Sequence, residues 1–494
     1  MAFSATSKAN VDAWESLGNP GWDWTSFSKS LARSFTLQHD GSPGETVGAG
    51  GPLQLSLPEE DTEWPRVWRE TLASLGFATA GPGEVFGGSV LGALVVPDSI
   101  QPLSKTRSYA GSAYLEPARS RPNLAVWTKT LVDRVTFDSS DATAAPAATG
   151  VQVTRDGETV QVAASKEVIV TAGAINTPRI LELSGVGDAK RLKALGIDVV
   201  ADNPNVGENL QNHPLVTLSF EVRDEPGFDT IDKLARQDAN ALAAAMAAYG
   251  NQKGPLSRSG ANLVAQLPTP DAESEQLATL LKSEGGFAKS HEAFVRSVLS
   301  SSTEATGVYI AIPGFAASTP DGWMAPPPQD EDSYFTLSIL LAHPLSRGSV
   351  HITSASSDSS SVAIDPKYFD HPLDLEVMAR HVQFAENIAA AEPLASIIRP
   401  SGKRNPTAPP SFADLDVAKK YLRDTAMGAH HFTGTCSMLP RELGGVVDAR
   451  LRVYGVRNLR VCDASVIPLT PRTNPQATVY GVAEHAAQII KSGQ

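Results

Sequence analysis

His430 and His431 open a short polar run, His431-Phe432-Thr433-Gly434-Thr435-Cys436-Ser437-Met438, near the end of a 494-residue chain. Imidazole titrates close to neutrality, so a placed histidine suits the removal of a proton from a substrate hydroxyl. A buried histidine that only hydrogen-bonds is the alternative for His431, and His430 reads as structural. Downstream, Thr473-Asn474-Pro475 precedes a helical pattern that includes Ala483 to Ile490. Asn474 there reads as an N-cap, a position asparagine favours. Asp463 and Ala464 follow the apolar run Leu459-Arg460-Val461-Cys462, where Asp463 can close an ordinary Asx turn. Ala172 and Gly173 are small enough to let a ligand approach the backbone, or simply to let a strand and a helix pack tightly. The histidines lack HExxH or comparable spacing, so no metal site is expected. No G-x-S-x-G elbow occurs either, which counts against an α/β-hydrolase. Cys436 and Cys462 read as small buried apolar groups.

Two strand–turn–helix units carry these residues. Glu167-Val168-Ile169-Val170-Thr171 is a β-branched apolar run of the kind found in buried parallel strands. Ala172-Gly173-Ala174 turns the chain. Asn176 or Thr177 is placed to cap a helix with Pro178 at its first position, and Gly185 ends it. The second unit joins Leu459–Cys462 to the helix expected after Asn474. Between them, residues 213–427 change texture: an Ala-rich helix near Ala241–Ala248, then Tyr334–Leu340 and Ser349–Ile352 with antiparallel strand spacing. Gly48-Ala49-Gly50-Gly51-Pro52 lies in a Gly-rich loop but is no phosphate loop, because Pro52-Leu53-Gln54-Leu55 reads as a strand rather than a helix start.

Composition bounds the rest. Lys+Arg number 41 against Asp+Glu 54, a net charge of -13, which argues against nucleic acid or an anionic membrane surface as partner. No apolar run approaches the roughly 20 residues that span a bilayer. The hydrophobic fraction of 41% fills sizeable cores. Two cysteines exclude a disulfide framework, and no N-x-Ser/Thr sequon occurs, a pattern that leans to an intracellular protein.

Several ordered blocks together resemble the glucose–methanol–choline (GMC) flavoprotein oxidoreductases. They are Trp14 to Trp24, similar to the family's entry to the substrate domain, and Arg121-Pro122-Asn123-Leu124 followed by Val132. Next come Gly173 to Gly187, and Asn205-Val206-Gly207-Glu208-Asn209-Leu210-Gln211-Asn212-His213. Pro344 to Gly348 and Ile364-Asp365-Pro366 follow, before the C-terminal segments already described. The resemblance implies FAD as cofactor and a small-molecule alcohol as substrate. It implies His431 as catalytic base with Asn474 beside it, and flavin contacts at Val132, Ala172, Gly173, Asp463, Ala464, Pro475 and Gln476. It further implies an α/β plus α+β architecture. A discontinuous FAD-binding parallel-sheet domain would comprise residues 1–20, 108–212 and 428–494. An inserted antiparallel-sheet substrate domain would comprise 21–107 and 213–427. One departure stands at the front: the family's G-x-G-x-x-G turn is absent, and Met1-Ala2-Phe3-Ser4 aligns just after the loop that follows it. The FAD domain is therefore expected to be incomplete, with a complementing N-terminal fragment or a second copy as partner. A non-redox cyclase on the same fold, or a non-catalytic remnant, are the alternatives to an FAD-dependent dehydrogenase or oxidase.

Overall fold

The computed structural model describes the chain except for Met1, residues 39–45, Ala49, Pro82, Val90, Ala142, residues 283–288, Pro320, Gly322, Trp323 and Gln494. Much of the Gly-rich loop before Pro52 thus lies outside the described residues, while Leu53–Leu55 forms the expected strand.

Apolar side chains separate into two large cores, the outcome expected when helices and sheets each bury one face. The first gathers Trp14, Trp22, Phe27, Leu31 and Leu55 from the N-terminal region. It adds Val170 and Leu181 from the middle of the chain, and Cys436, Met438, Val461 and Val482 from its end. The second gathers Trp64, Trp68 and Leu72 with residues from Val216 to Leu422. The sequence division assigned residues 21–107 to the second half. In the structure Trp22 to Leu55 pack in the first core, and the change comes between Leu55 and Trp64. Trp14 Nε1 donates to the Leu469 carbonyl at 3.2 Å, and Asn19 Nδ2 donates to the Met438 carbonyl at 2.9 Å, so the Trp14–Trp24 block braces the C-terminal segments.

Within the first half, Val168–Val170 and Leu459–Val461 form a parallel pair in the register Leu459↔Val168. Parallel partners need a crossover connection, and here the entire second half intervenes. Ile169, in the middle of its strand, keeps 39% of its surface exposed. The following helix runs Gly173–Leu183 with Ala172 as N-cap. It starts earlier than Asn176 or Thr177, because Thr177 has another task. Its hydroxyl accepts from the Ala172 N–H at 3.1 Å and donates to Asp463 Oδ2 at 2.5 Å. Pro178 therefore falls inside the helix, where its missing N–H would orphan the carbonyl four residues back. That carbonyl, Ala174 O, instead accepts from the Thr435 hydroxyl at 2.6 Å. The final helix, Gln476–Lys491, begins after Pro475 and has no side-chain cap. Asn474 is one residue too early to cap it.

The second half is built on a seven-stranded sheet. Its order is Met427–Gly428, Pro214–Val222, Ser333–Leu341, Gly307–Ile312, Leu263–Leu267, Gly92–Val95 and Thr79–Ala80. All neighbours are antiparallel except the last pair. Side chains alternate between faces as strand geometry demands. Leu263, Ala265, Tyr309, Ala311, Leu337 and Ile339 enter the second core. Val264, Val308, Ile310 and Leu340 point the other way and pack with Ala2 and Ala429, beside His430. The sheet therefore presents its second face to the loop that carries His431.

Candidate active site

The loop from His431 to Met438 is threaded between two others, which fixes it without regular secondary structure. On one side Gln211 and Thr433 exchange both backbone hydrogen bonds at 3.0 Å, and Gly207 N–H donates to Thr435 O at 2.9 Å. On the other side Gly434, Cys436 and Met438 donate to the carbonyls of Ala464, Ser465 and Val466. Gly434 is required here: its φ is +90°, and a Cβ would come within 2.5 Å of the Asn209 carbonyl oxygen. Side chains complete the frame. Asn209 Nδ2 donates to Ser437 Oγ at 2.8 Å, and Gln211 bridges Pro468 O and the Thr470 N–H. The 205–213 block is thus the clamp of the loop.

His431 is held at three points. Its backbone N–H donates to Asn212 Oδ1 at 2.8 Å, its Nδ1 lies 2.8 Å from His213 Nδ1, and its Nε2 lies 3.1 Å from Asn474 Nδ2. Asn212 is fixed in turn by its Nδ2 on the Tyr368 hydroxyl at 2.5 Å. Burial, reinforced by His213 and His430 nearby, pushes the His431 pKa well below its ordinary value. Burial likewise lowers His213 to about 4. Both rings are neutral at physiological pH, the state in which an imidazole can accept a proton. His430 takes a left-handed backbone, φ +58°, and its side chain is exposed, so it turns the chain rather than lining the site.

His431 and Asn474 meet at the wall of a cavity of about 570 Å³, lined further by Ala110, Pro475, Gln476, Val479 and Tyr480. Gln476 is anchored by Nε2 on Ser99 Oγ at 3.1 Å. The remaining residues singled out in the sequence lie in a second cluster. Asp463 Oδ2 accepts from the Gly173 N–H at 3.0 Å as well as from Thr177, and its Oδ1 accepts from the Ser465 N–H at 2.7 Å. Asp463 therefore does close an Asx turn, and the same carboxylate ties the two strand–turn–helix units together. Ala172 and Ala464 pack at the edge of the first core, as does Val132 from the separate three-stranded sheet of residues 130–163. The space beyond Gly173 is open: a Cβ built there meets nothing within 4 Å.

Two residues at the site escaped the sequence reading. His213 and Asn212 were visible only as the end of the 205–213 block. A lone histidine after a polar run carries no signal of its own, and only the fold brings it to His431. Among the described residues no group of three or more His, Cys, Asp or Glu is placed to hold a metal ion.

Comparison with known proteins gives a consistent answer. Two family models, each described as GMC oxidoreductase, match at residues 1–215 and 344–483. A dehydrogenase of Monascus purpureus is 31% identical over 528 residues, which span 99% of this chain and 81% of the relative. Versicolorin B synthase of Aspergillus parasiticus is 28% identical, over 100% of this chain and 73% of its own. Among solved structures, a formate oxidase of Aspergillus oryzae, studied for the modification of its FAD, superposes with a TM-score of 0.84. It is 26% identical, and the match covers 100% of this chain and 82% of the other.

Proposed function

The chain belongs to the GMC oxidoreductase family, and on that premise we propose that it oxidises a carbon–hydroxyl group of a small molecule with His431 as general base. The family makes it an oxidoreductase with FAD as cofactor. The observation that carries the finer reading is the pair His431 Nε2 and Asn474 Nδ2, 3.1 Å apart at the wall of the 570 Å³ cavity.

The residues around that cavity fit the ring end of FAD. Pro475 and Gln476 lie at the start of a 16-residue helix with no side-chain cap, whose N–H groups and positive dipole end favour negative charge there. The space over Gly173 is open as well, and Ala172, Asp463 and Ala464 lie near it in the second cluster. The Gly-rich turn that would hold the pyrophosphate does not occur in the sequence. In this reading the parallel pair belongs to a discontinuous FAD-binding domain, and the seven-stranded sheet supplies the substrate side.

When bound, FAD supplies the two-electron acceptor. The chain's own work is to seat the hydroxyl at the cavity wall against His431 Nε2 and the Asn474 amide, and to take its proton at Nε2. The lowered pKa keeps that nitrogen free to accept. The proton must leave as the hydride departs, so a placed base contributes roughly 10²–10⁴-fold. The test is anaerobic mixing of the FAD-loaded protein with a panel of primary and secondary alcohols, followed by flavin bleaching. At least one alcohol should bleach the wild type, and His431→Gln should slow that bleaching by about 10²–10⁴-fold. If dithionite alone bleaches the flavin, the reading fails.

A second reading is a cyclase or synthase without net redox change. It is motivated by the similarity to versicolorin B synthase and by an acid–base histidine that does not itself require electron transfer. Conversion of a compound with no bleaching at any stage would favour it.

A further inference from the structure

We infer that His213 is a positioning residue that sets the tautomer of His431, holding the proton on Nδ1 so that Nε2 is the base nitrogen facing the cavity. This rests on the proposed role of His431. The two Nδ1 atoms are 2.8 Å apart, with the ring planes at 85° and centroids 5.0 Å apart. At that distance the nitrogens must share one proton, and the edge-to-face geometry lets the N–H of one ring meet the in-plane lone pair of the other. Asn474 decides the direction. Its Nδ2 only donates, so His431 Nε2, 3.1 Å away, is the acceptor and carries a lone pair. His431 then donates from Nδ1, and His213 Nδ1 is left as acceptor, with the proton of a neutral His213 on its buried Nε2. The chain of donors runs one way from end to end.

Both rings are fixed in place for this task. His213 O accepts from the Ala429 N–H at 3.0 Å, and Asn212 Oδ1 holds the His431 N–H. A hydrophobic residue at 213 would leave the space filled but the tautomer unset. The same logic, a partner that fixes which imidazole nitrogen is basic, operates wherever a histidine base is oriented from behind.

The test reads protons directly and needs no substrate. In protein carrying ¹⁵N-histidine, the His431 signals are identified by their loss in His431→Gln. At neutral pH we expect the shift of an unprotonated nitrogen at Nε2 and of a protonated one at Nδ1. His213→Leu should lose the fixed tautomer, with both nitrogens moving to averaged shifts. His213→Asp, whose carboxylate can only accept, should restore the Nδ1–H form. A protonated Nε2 on His431 in the wild type would overturn the assignment, as would an unchanged His431 spectrum in folded His213→Leu. If the leucine variant does not fold, the wild-type spectrum still decides. Because the tautomer is read without turnover, failure here is separate from failure of the alcohol-oxidation reading.

Discussion

Asn474 shows how a residue's local preference and its actual task can part. Its sequence context favours an N-cap, yet the final helix starts two residues later at Gln476, and the amide reaches His431 Nε2 instead. Removing it should therefore cost the helix little. Asn474→Ala is expected to change stability by no more than about 0.5 kcal/mol, the range of substitutions without a lost cap or core contact, while activity falls. Asn474→Asp tests the electrostatics. Besides burial, the nearby His213 and His430 oppose protonation of His431. A carboxylate at 474 would favour the imidazolium, raise the His431 pKa and shift the acid limb of kcat/KM to higher pH. An unmoved acid limb would mean that His431 is not the group titrating. His431 and Asn474 were both legible in the sequence because they fall in motif blocks with a known chemical sense. His213 was not, since its relevance is created by the 2.8 Å contact across 218 positions.

At the scale of elements, the early start of the Gly173–Leu183 helix makes Pro178 an interior proline, and the structure compensates from outside the helix. The strand runs, the Gly185 stop and the final helix were readable, because each rests on short-range pattern and turn chemistry. The helix start was misplaced because proline at a first position is a local rule, and the Thr435 hydroxyl that overrides it comes from 261 positions away. Thr435→Val should leave the Ala174 carbonyl buried without its donor, at a cost of about 1–3 kcal/mol. Pro178→Ala gives the helix back the N–H that bonds this same carbonyl. The double variant should accordingly recover most of the loss, a coupling of roughly 0.5–3 kcal/mol in a double-mutant cycle from urea titrations. Additive effects would show that the carbonyl is satisfied some other way. This contact also links scales, since Thr435 belongs to the loop that presents His431.

Across the whole molecule, the two cores share an electrostatic habit: histidines are buried neutral. Burial lowers His213 to about 4 and His291, His343 and His381 each to about 3. His213 and His343 lie where the halves meet, and His381 sits in the second core between Thr306 Oγ1 and the Tyr309 hydroxyl. In the unfolded chain each would titrate near about 6.5. Between that value and their folded values, the unfolded state binds more protons than the native one, so stability rises with pH. The stabilisation is fully present above about pH 6.5 and is lost as pH falls towards about 4, at a slope of up to about 1.4 kcal/mol per pH unit for each group. His351 runs the other way: although burial opposes it, its hydrogen bonds to Glu182 and Glu208 raise its pKa, so its contribution is present below about 6.5 and fades as pH rises. His371, His431 and His485 are lowered as well, so one raised histidine set against seven lowered ones leaves the histidines' net slope positive. Urea midpoints measured between about pH 7.5 and 4.5 should fall steadily with acid, and His381→Gln, which removes one titrating ring, should flatten the slope. A midpoint that holds constant or rises over that range would mean that these rings are not buried in the neutral form, and the neutral His213–His431 pair on which the site depends would fall with them.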